Sequence, residues 1–210
     1  MSTTEPAQPA ETDLPPEDMA RAAFYGLIAR LFYAPPDQQL LAQLPHMGAF
    51  DESGEIDARG KKLSIAWGAI VEASRAAFPV VLENEHTDLF IGTGRAEVTP
   101  YLTSYVIKYA TDNPLVDLRQ QLQRWGLARR ENANEPEDHI AGICEAMRFA
   151  IAVQHRPLDE QRDFFDHFLY RGGVAFCNAV SASGKASFYA HVAAFTREFL
   201  ELEHEAFEML

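Results

Sequence analysis

Apolar residues along this chain recur at spacings of three and four, and alternation persists nowhere. Over 17–33, Ala20, Phe24, Leu27, Ile28, Leu31 and Phe32 fall on one helical face. Pro35-Pro36 ends that helix, because proline supplies no amide hydrogen to the ladder. A short helix over 37–44 stops at Pro45, and Gly48, Ser53 and Gly54 mark a loop. Residues 58–78 read as a longer helix with Leu63, Trp67, Ile70 and Val71 inward. Pro79 can open the next helix, where its missing amide costs nothing, and Gly92-Thr93-Gly94 breaks it after Leu89-Phe90.

Further helices are expected over 112–127, starting at Asp112-Asn113-Pro114, and over 135–154, starting at Glu135-Pro136-Glu137-Asp138. Segments 158–170 and 174–183 follow, with Gly172-Gly173 expected to separate them, and a last long helix begins near Lys185. The pattern predicts an all-α fold of about nine or more helices in one globular domain, with a hinge near 128–135. A hinged helical domain can exist as a monomer or exchange elements in a domain-swapped dimer.

Composition narrows the class. With 210 residues and 47% hydrophobic content, the chain can bury roughly 70% of its unfolded surface and needs no cross-link. Cys144 and Cys177 sit among apolar residues and read as reduced core thiols, which suits a cytoplasmic protein. A net charge of −13 argues against nucleic acid and against anionic membrane surfaces. No apolar run approaches the roughly 18–20 residues of a membrane span. Residues 1–19 hold four prolines and five acids with no Lys or Arg, so they are expected as a disordered tail preceding a domain over 20–208, not an export signal.

Catalytic patterns are scarce. There is no phosphate-cradling loop with Lys-Ser or Lys-Thr, no Gly-x-Ser-x-Gly elbow and no cysteine zinc spacing. Glu-x-x-His occurs twice, at Glu83/His86 and Glu201/His204, and two such pairs are the parts of a di-metal carboxylate oxidoreductase. Random placement of this many Glu and His yields such pairs readily, and Glu201 and His204 lie in a strongly charged run. No catalytic residue, metal or cofactor is therefore expected.

Two segments suit a binding role better. Glu135-Pro136-Glu137-Asp138-His139 crowds three carboxylates beside an imidazole, an acidic lip that can pair with arginine. Capping and helix-dipole complementarity explain the same acids without any partner. Leu89-Phe90, followed by Pro100-Tyr101-Leu102-Thr103-Ser104-Tyr105, can pack as core or edge an apolar groove for a peptide.

Together these segments resemble the TorD family of cytosolic chaperones, which includes DmsD and NarJ-like members. Leu89-Phe90 and then Pro100 to Tyr105 look like that family's Leu-Phe and Pro-Tyr-x-Ser-x-Tyr patterns, with Thr103 replacing the usual Ser. Glu135 to His139 looks like its Glu-Pro-x-Asp-His motif. Phe164-Phe165 with His167, Phe188-Tyr189 and Phe199-Leu200 are similar to its C-terminal aromatic pattern, and Leu31-Phe32-Tyr33 fits its first helix. His86 departs from a position that is often aromatic.

The resemblance implies a chaperone that binds the twin-arginine signal peptide, or the apo catalytic subunit, of a molybdenum-dependent oxidoreductase and holds it back from export until the cofactor is in place. The peptide site so expected comprises Leu89, Phe90, Pro100, Tyr101, Thr103, Tyr105, Glu135, Pro136, Glu137, Asp138 and His139, with Glu135, Glu137 and Asp138 meeting the arginine pair, Leu89, Phe90, Tyr101 and Tyr105 lining the groove, and His139 orienting the hinge. A structural accessory subunit of a redox complex is the remaining alternative.

Overall fold

A computed structural model describes residues 14–47, 58–92, 94, 96–109, 113–128 and 135–210. Eight helices form among them. Helix α1 spans Pro16–Tyr33, α2 Gln38–Gln43 and α3 Ala58–Ala76. Helix α4 spans Pro79–His86 and continues as a π-helical turn, Thr87–Ile91. Helix α5 spans Pro114–Arg124 and α6 Ile140–Ala152. Helix α7 runs over 158–182 as Leu158–Phe164, a π-helical stretch Phe165–Tyr170, and Arg171–Ala182. Helix α8 spans Phe188–Glu208. No strand occurs among the described residues; Tyr101 and His139 form an isolated antiparallel bridge.

The all-α expectation holds, with a slightly smaller helix count. Gly172-Gly173 does not divide α7. Both glycines lie within the helix, and neighbours leave no room there for a side chain: a Cβ at Gly172 would lie 2.9 Å from the Leu102 carbonyl oxygen, and one at Gly173 2.7 Å from Leu200 Cδ1. They give close approach rather than a break.

Two boundaries also move. Helix α1 begins at Pro16, so 16–19 are helical rather than tail, with proline in the first turn beside Glu17 and Asp18. Helix α6 begins only at Ile140, so Glu135 to Asp138 precede the helix instead of opening it. Two backbone bonds hold them to another segment: Leu102 N–H donates to the Asp138 carbonyl and Ile140 N–H to the Pro100 carbonyl, both at 2.9 Å. The tail expected over residues 1–13 and the centre of the expected hinge, 129–134, lie outside the described residues.

Helix α1 packs chiefly along α6, α3 along α8, and the second half of α7 along α8. Tyr25, Phe32, Phe164, Phe165, Phe176, Tyr189, Phe195 and Phe199 are fully buried between them. Each such ring contributes about 1.5–3 kcal/mol by leaving water. Cys144 and Cys177 are free and buried, and burial pushes both thiols up from their ordinary values. No single helix is long and apolar enough to cross a membrane.

Two buried carboxylates tie the helices. Glu85 on α4 accepts from the backbone amides of Ser187, Phe188 and Tyr189 at 2.8, 3.2 and 2.8 Å, closing the N-terminus of α8. Glu203 on α8 accepts from Arg21 Nε at 2.8 Å and from Tyr25 Oη at 2.9 Å, clamping α1.

Candidate functional site

The Glu135–His139 segment owes its shape to what lies beneath it. Asp138 is only 4% exposed, and its carboxylate accepts a short hydrogen bond from the Thr103 hydroxyl. His139 is 5% exposed and caps α6, its Nδ1 accepting from Ala141 N–H at 3.1 Å. That bond requires the neutral tautomer with its proton on Nε2. The imidazole edge lies against the rings of Tyr101 and Tyr33, at centroid distances of 5.9 and 6.5 Å.

Burial holds His139 below the ordinary imidazole value of 6.5; Glu135 and Asp138 oppose that shift, and nearby His86 adds to it. His86 is lowered in the same way, although the Phe32 carbonyl 3.4 Å from its Nε2 opposes the shift. The sign for stability follows. The unfolded chain takes up protons at the ordinary value and the folded chain only at lower pH, so stability present above about 6.5 is lost as pH falls through the folded values. The melting temperature should therefore fall between pH 7 and pH 5, and less so in His139→Gln, whose amide oxygen can still cap α6. Equal pH dependence in native and variant would remove His139 from this account.

The outward members of the segment meet other partners. Glu135 accepts from Tyr101 Oη at 2.8 Å. Burial and that bond push the Tyr101 phenol up to about 12, so it remains a donor. Glu137 accepts from Arg119 Nε of α5 at 3.0 Å.

Glu135, Pro136, Glu137 and His139 edge a cavity of about 560 Å³. Helix α1 supplies Arg30 and Tyr33, α5 supplies Leu122 and the turn after it Leu127, and α6 supplies Glu145 and Phe149. The lining is largely apolar, with three carboxylates, Glu135, Glu137 and Glu145, and two guanidinium groups, Arg30 and Arg148, among it. Its size falls within the usual range of ligand sites, roughly 300–1,000 Å³. The Tyr33 ring, 55% exposed, stands in its wall.

The other expected contact residues do not line this cavity. Leu89 and Phe90 are core: Phe90 packs against Phe32, Phe176 and Tyr189 at centroid distances of 5.9, 5.9 and 5.1 Å. Pro100 is buried, and Thr103 holds Asp138. Tyr105 donates to the Thr99 carbonyl at 2.8 Å and lies against Phe176, so it braces its own loop.

Tyr33 and the α5 and α6 wall were not among the expected contacts. A signal for Tyr33 existed: Phe32 points inward, and the next residue is rotated by about 100° toward the flank, where an aromatic with a polar tip suits a binding wall. The wall from α5 and α6 needs tertiary structure to be seen.

The paired Glu-x-x-His motifs do not converge. Glu83 is exposed while His86 is buried. Glu201 accepts from Tyr170 Oη at 3.2 Å, and His204 faces Asp166 at 3.6 Å. No group of three or more His, Cys, Asp or Glu among the described residues is placed to hold a metal ion.

A model of the nitrate reductase delta subunit family matches residues 59–178, more than half of the chain. The chain belongs to that family. The matched span includes α3 to α6 and the Glu135–His139 segment. Full-length relatives of this delta subunit family member are curated as chaperone protein TorD. The one from Aliivibrio fischeri is 25% identical over 201 residues, covering 87% of this chain and 92% of that one. The one from Shewanella loihica is 25% identical over 206 residues, covering 92% and 96%. A solved redox enzyme maturation protein from Archaeoglobus fulgidus shares the fold, with a TM-score of 0.53 and 20% identity over 86% of this chain and 93% of that one.

Proposed function

We propose that this redox-enzyme maturation chaperone receives the twin-arginine signal peptide of an apo molybdenum-dependent catalytic subunit in the cavity between α1, α5 and α6. It works in the cytoplasm by holding that client until cofactor insertion, without turnover of its own. One observation carries the reading: Glu135, a carboxylate held by the neutral phenol of Tyr101, stands on the rim of a largely apolar cavity. A twin-arginine signal presents two guanidinium groups and then an apolar stretch. The first need a carboxylate with its charge available, because charge-assisted bonds are the strong ones. The second needs a groove whose polar groups are already satisfied.

Family membership and the curated relatives support the chaperone role. The geometry supports assigning contact to Glu135, Glu137, Tyr33, Leu122 and Leu127, and scaffolding to Asp138, His139, Thr103 and Tyr101. A permanent accessory subunit would instead co-purify with its complex in fixed stoichiometry.

Calorimetric titration with twin-arginine signal peptides of molybdenum-enzyme catalytic subunits tests the reading. The expected result is a Kd near 1 μM, about −8 kcal/mol, lost when both arginines become alanine. Heat that does not depend on the arginine pair, or no binding to any peptide, would overturn it.

A further inference from the structure

The rim carboxylates of the cavity are not equivalent. Glu145 is held within its own helix by Arg148. Glu135 is held by a neutral phenol. Glu137 is held by an arginine from a different helix: Arg119 of α5 places both Nε and a terminal guanidinium nitrogen 3.0 Å from Glu137 Oε2. Arg119 lies three residues before Leu122, which lines the cavity, so α5 presents both on one side. The Arg119 side chain is 48% exposed, whereas Glu137 is 17% exposed. The guanidinium is therefore the more exposed partner of the pair, and the carboxylate it covers lines the cavity.

We infer that Arg119 is a resident competitor that occupies, in the empty chaperone, the place at Glu137 that one arginine of the bound peptide takes. This rests on the cavity being the signal-peptide site. One peptide arginine then meets Glu135 without displacing a cation. The other meets Glu137 only by exchanging one guanidinium for another, which gains little. Arg119 so limits the grip on the arginine pair and keeps the client releasable. A merely structural Arg119–Glu137 pair would behave oppositely, since its loss would loosen the rim and weaken binding.

The test compares native protein, Arg119→Gln and Arg119→Lys by calorimetry. The probes are a twin-arginine peptide and two variants in which one or the other arginine is glutamine. Gln keeps most of the side-chain length without the charge, and an exposed pair contributes little to folding, so a native-like melting temperature is expected. The twin-arginine peptide should bind Arg119→Gln about threefold tighter, in keeping with the modest strength of exposed ion pairs. That gain should vanish for one of the two single-substituted peptides. Arg119→Lys, which keeps the charge but not the planar fork, should lie between. Native protein that binds while Arg119→Gln binds equally or more weakly overturns the competitor and leaves the site standing. Native protein that binds no peptide overturns both.

Discussion

Replacing Glu203 with alanine is expected to lower stability by about 3–5 kcal/mol, the usual result of removing one partner from a buried ion pair. Arg21 sends Nε and a terminal nitrogen to this carboxylate at 2.8 to 3.1 Å, and Tyr25 Oη adds a bond of 2.9 Å. The Glu203 side chain is 5% exposed and that of Arg21 17%, so water cannot freely replace the lost acceptor. Asp18 keeps one bond to Arg21 at 2.8 Å, which offsets part of the loss. For a chain of this length the melting temperature should fall by roughly 10 °C.

The cycle with Arg21→Ala separates the causes. If the cost is a stranded guanidinium, the double variant should be less destabilised than the two single losses added together. Strict additivity would mean that Glu203 acts through packing alone. The consequence reaches the cavity, because α1 is clamped to α8 at Glu203 and supplies Arg30 and Tyr33 to the cavity two to three turns further on.

How far the sequence reveals this structure depends on the range of the interaction. Periodicity finds helices because a helix writes its own face locally, and α1 to α4 lie where Phe24, Leu31, Trp67 and Leu89 place them. It misjudges Gly172-Gly173, since the reason for two glycines is a carbonyl at Leu102 and a methyl at Leu200, both distant in the chain. It misjudges 135–139 for a similar reason. Proline and acids do favour a first helical turn. Here 137 and 138 form a turn, closed by the His139 N–H on the Pro136 carbonyl at 3.2 Å and tied to the backbone at Pro100 and Leu102, and only His139 caps the helix.

The site was legible as chemistry but not as geometry. The acidic segment stands on the rim, yet Asp138 turns inward to Thr103. Leu89 and Phe90, apolar enough to line a groove, instead fill the core under Tyr189 and Phe32. Nothing local separates an apolar residue that packs on its own protein from one that waits for a partner. Tyr33, Leu122 and Phe149 converge only when α1, α5 and α6 are assembled.

Reversing the charge at Glu135 should have the largest effect on binding. Glu135→Lys is expected to weaken the twin-arginine peptide by at least about thirtyfold, because like charges brought together at an interface cost several kcal/mol. The loss should be larger than for Glu137→Ala, where no Arg119–Glu137 pair has to be broken on binding, which offsets part of the missing attraction. Folding should change only modestly, since Glu135 is part-buried and the bond it loses from Tyr101 Oη contributes about 1 kcal/mol. Asp138→Ala should act through the fold instead. It removes the acceptor of the part-buried Thr103 hydroxyl, so a lower melting temperature should accompany its weaker binding. Salt should narrow the contrast between native protein and Glu135→Lys. Raising ionic strength should weaken the native complex and narrow its advantage over Glu135→Lys, as screening acts on both attraction and repulsion. Native affinity in Glu135→Lys would move the arginine pair to Glu145, which also lines the cavity, and the same titration with Glu145→Lys would then have to lose what Glu135→Lys kept.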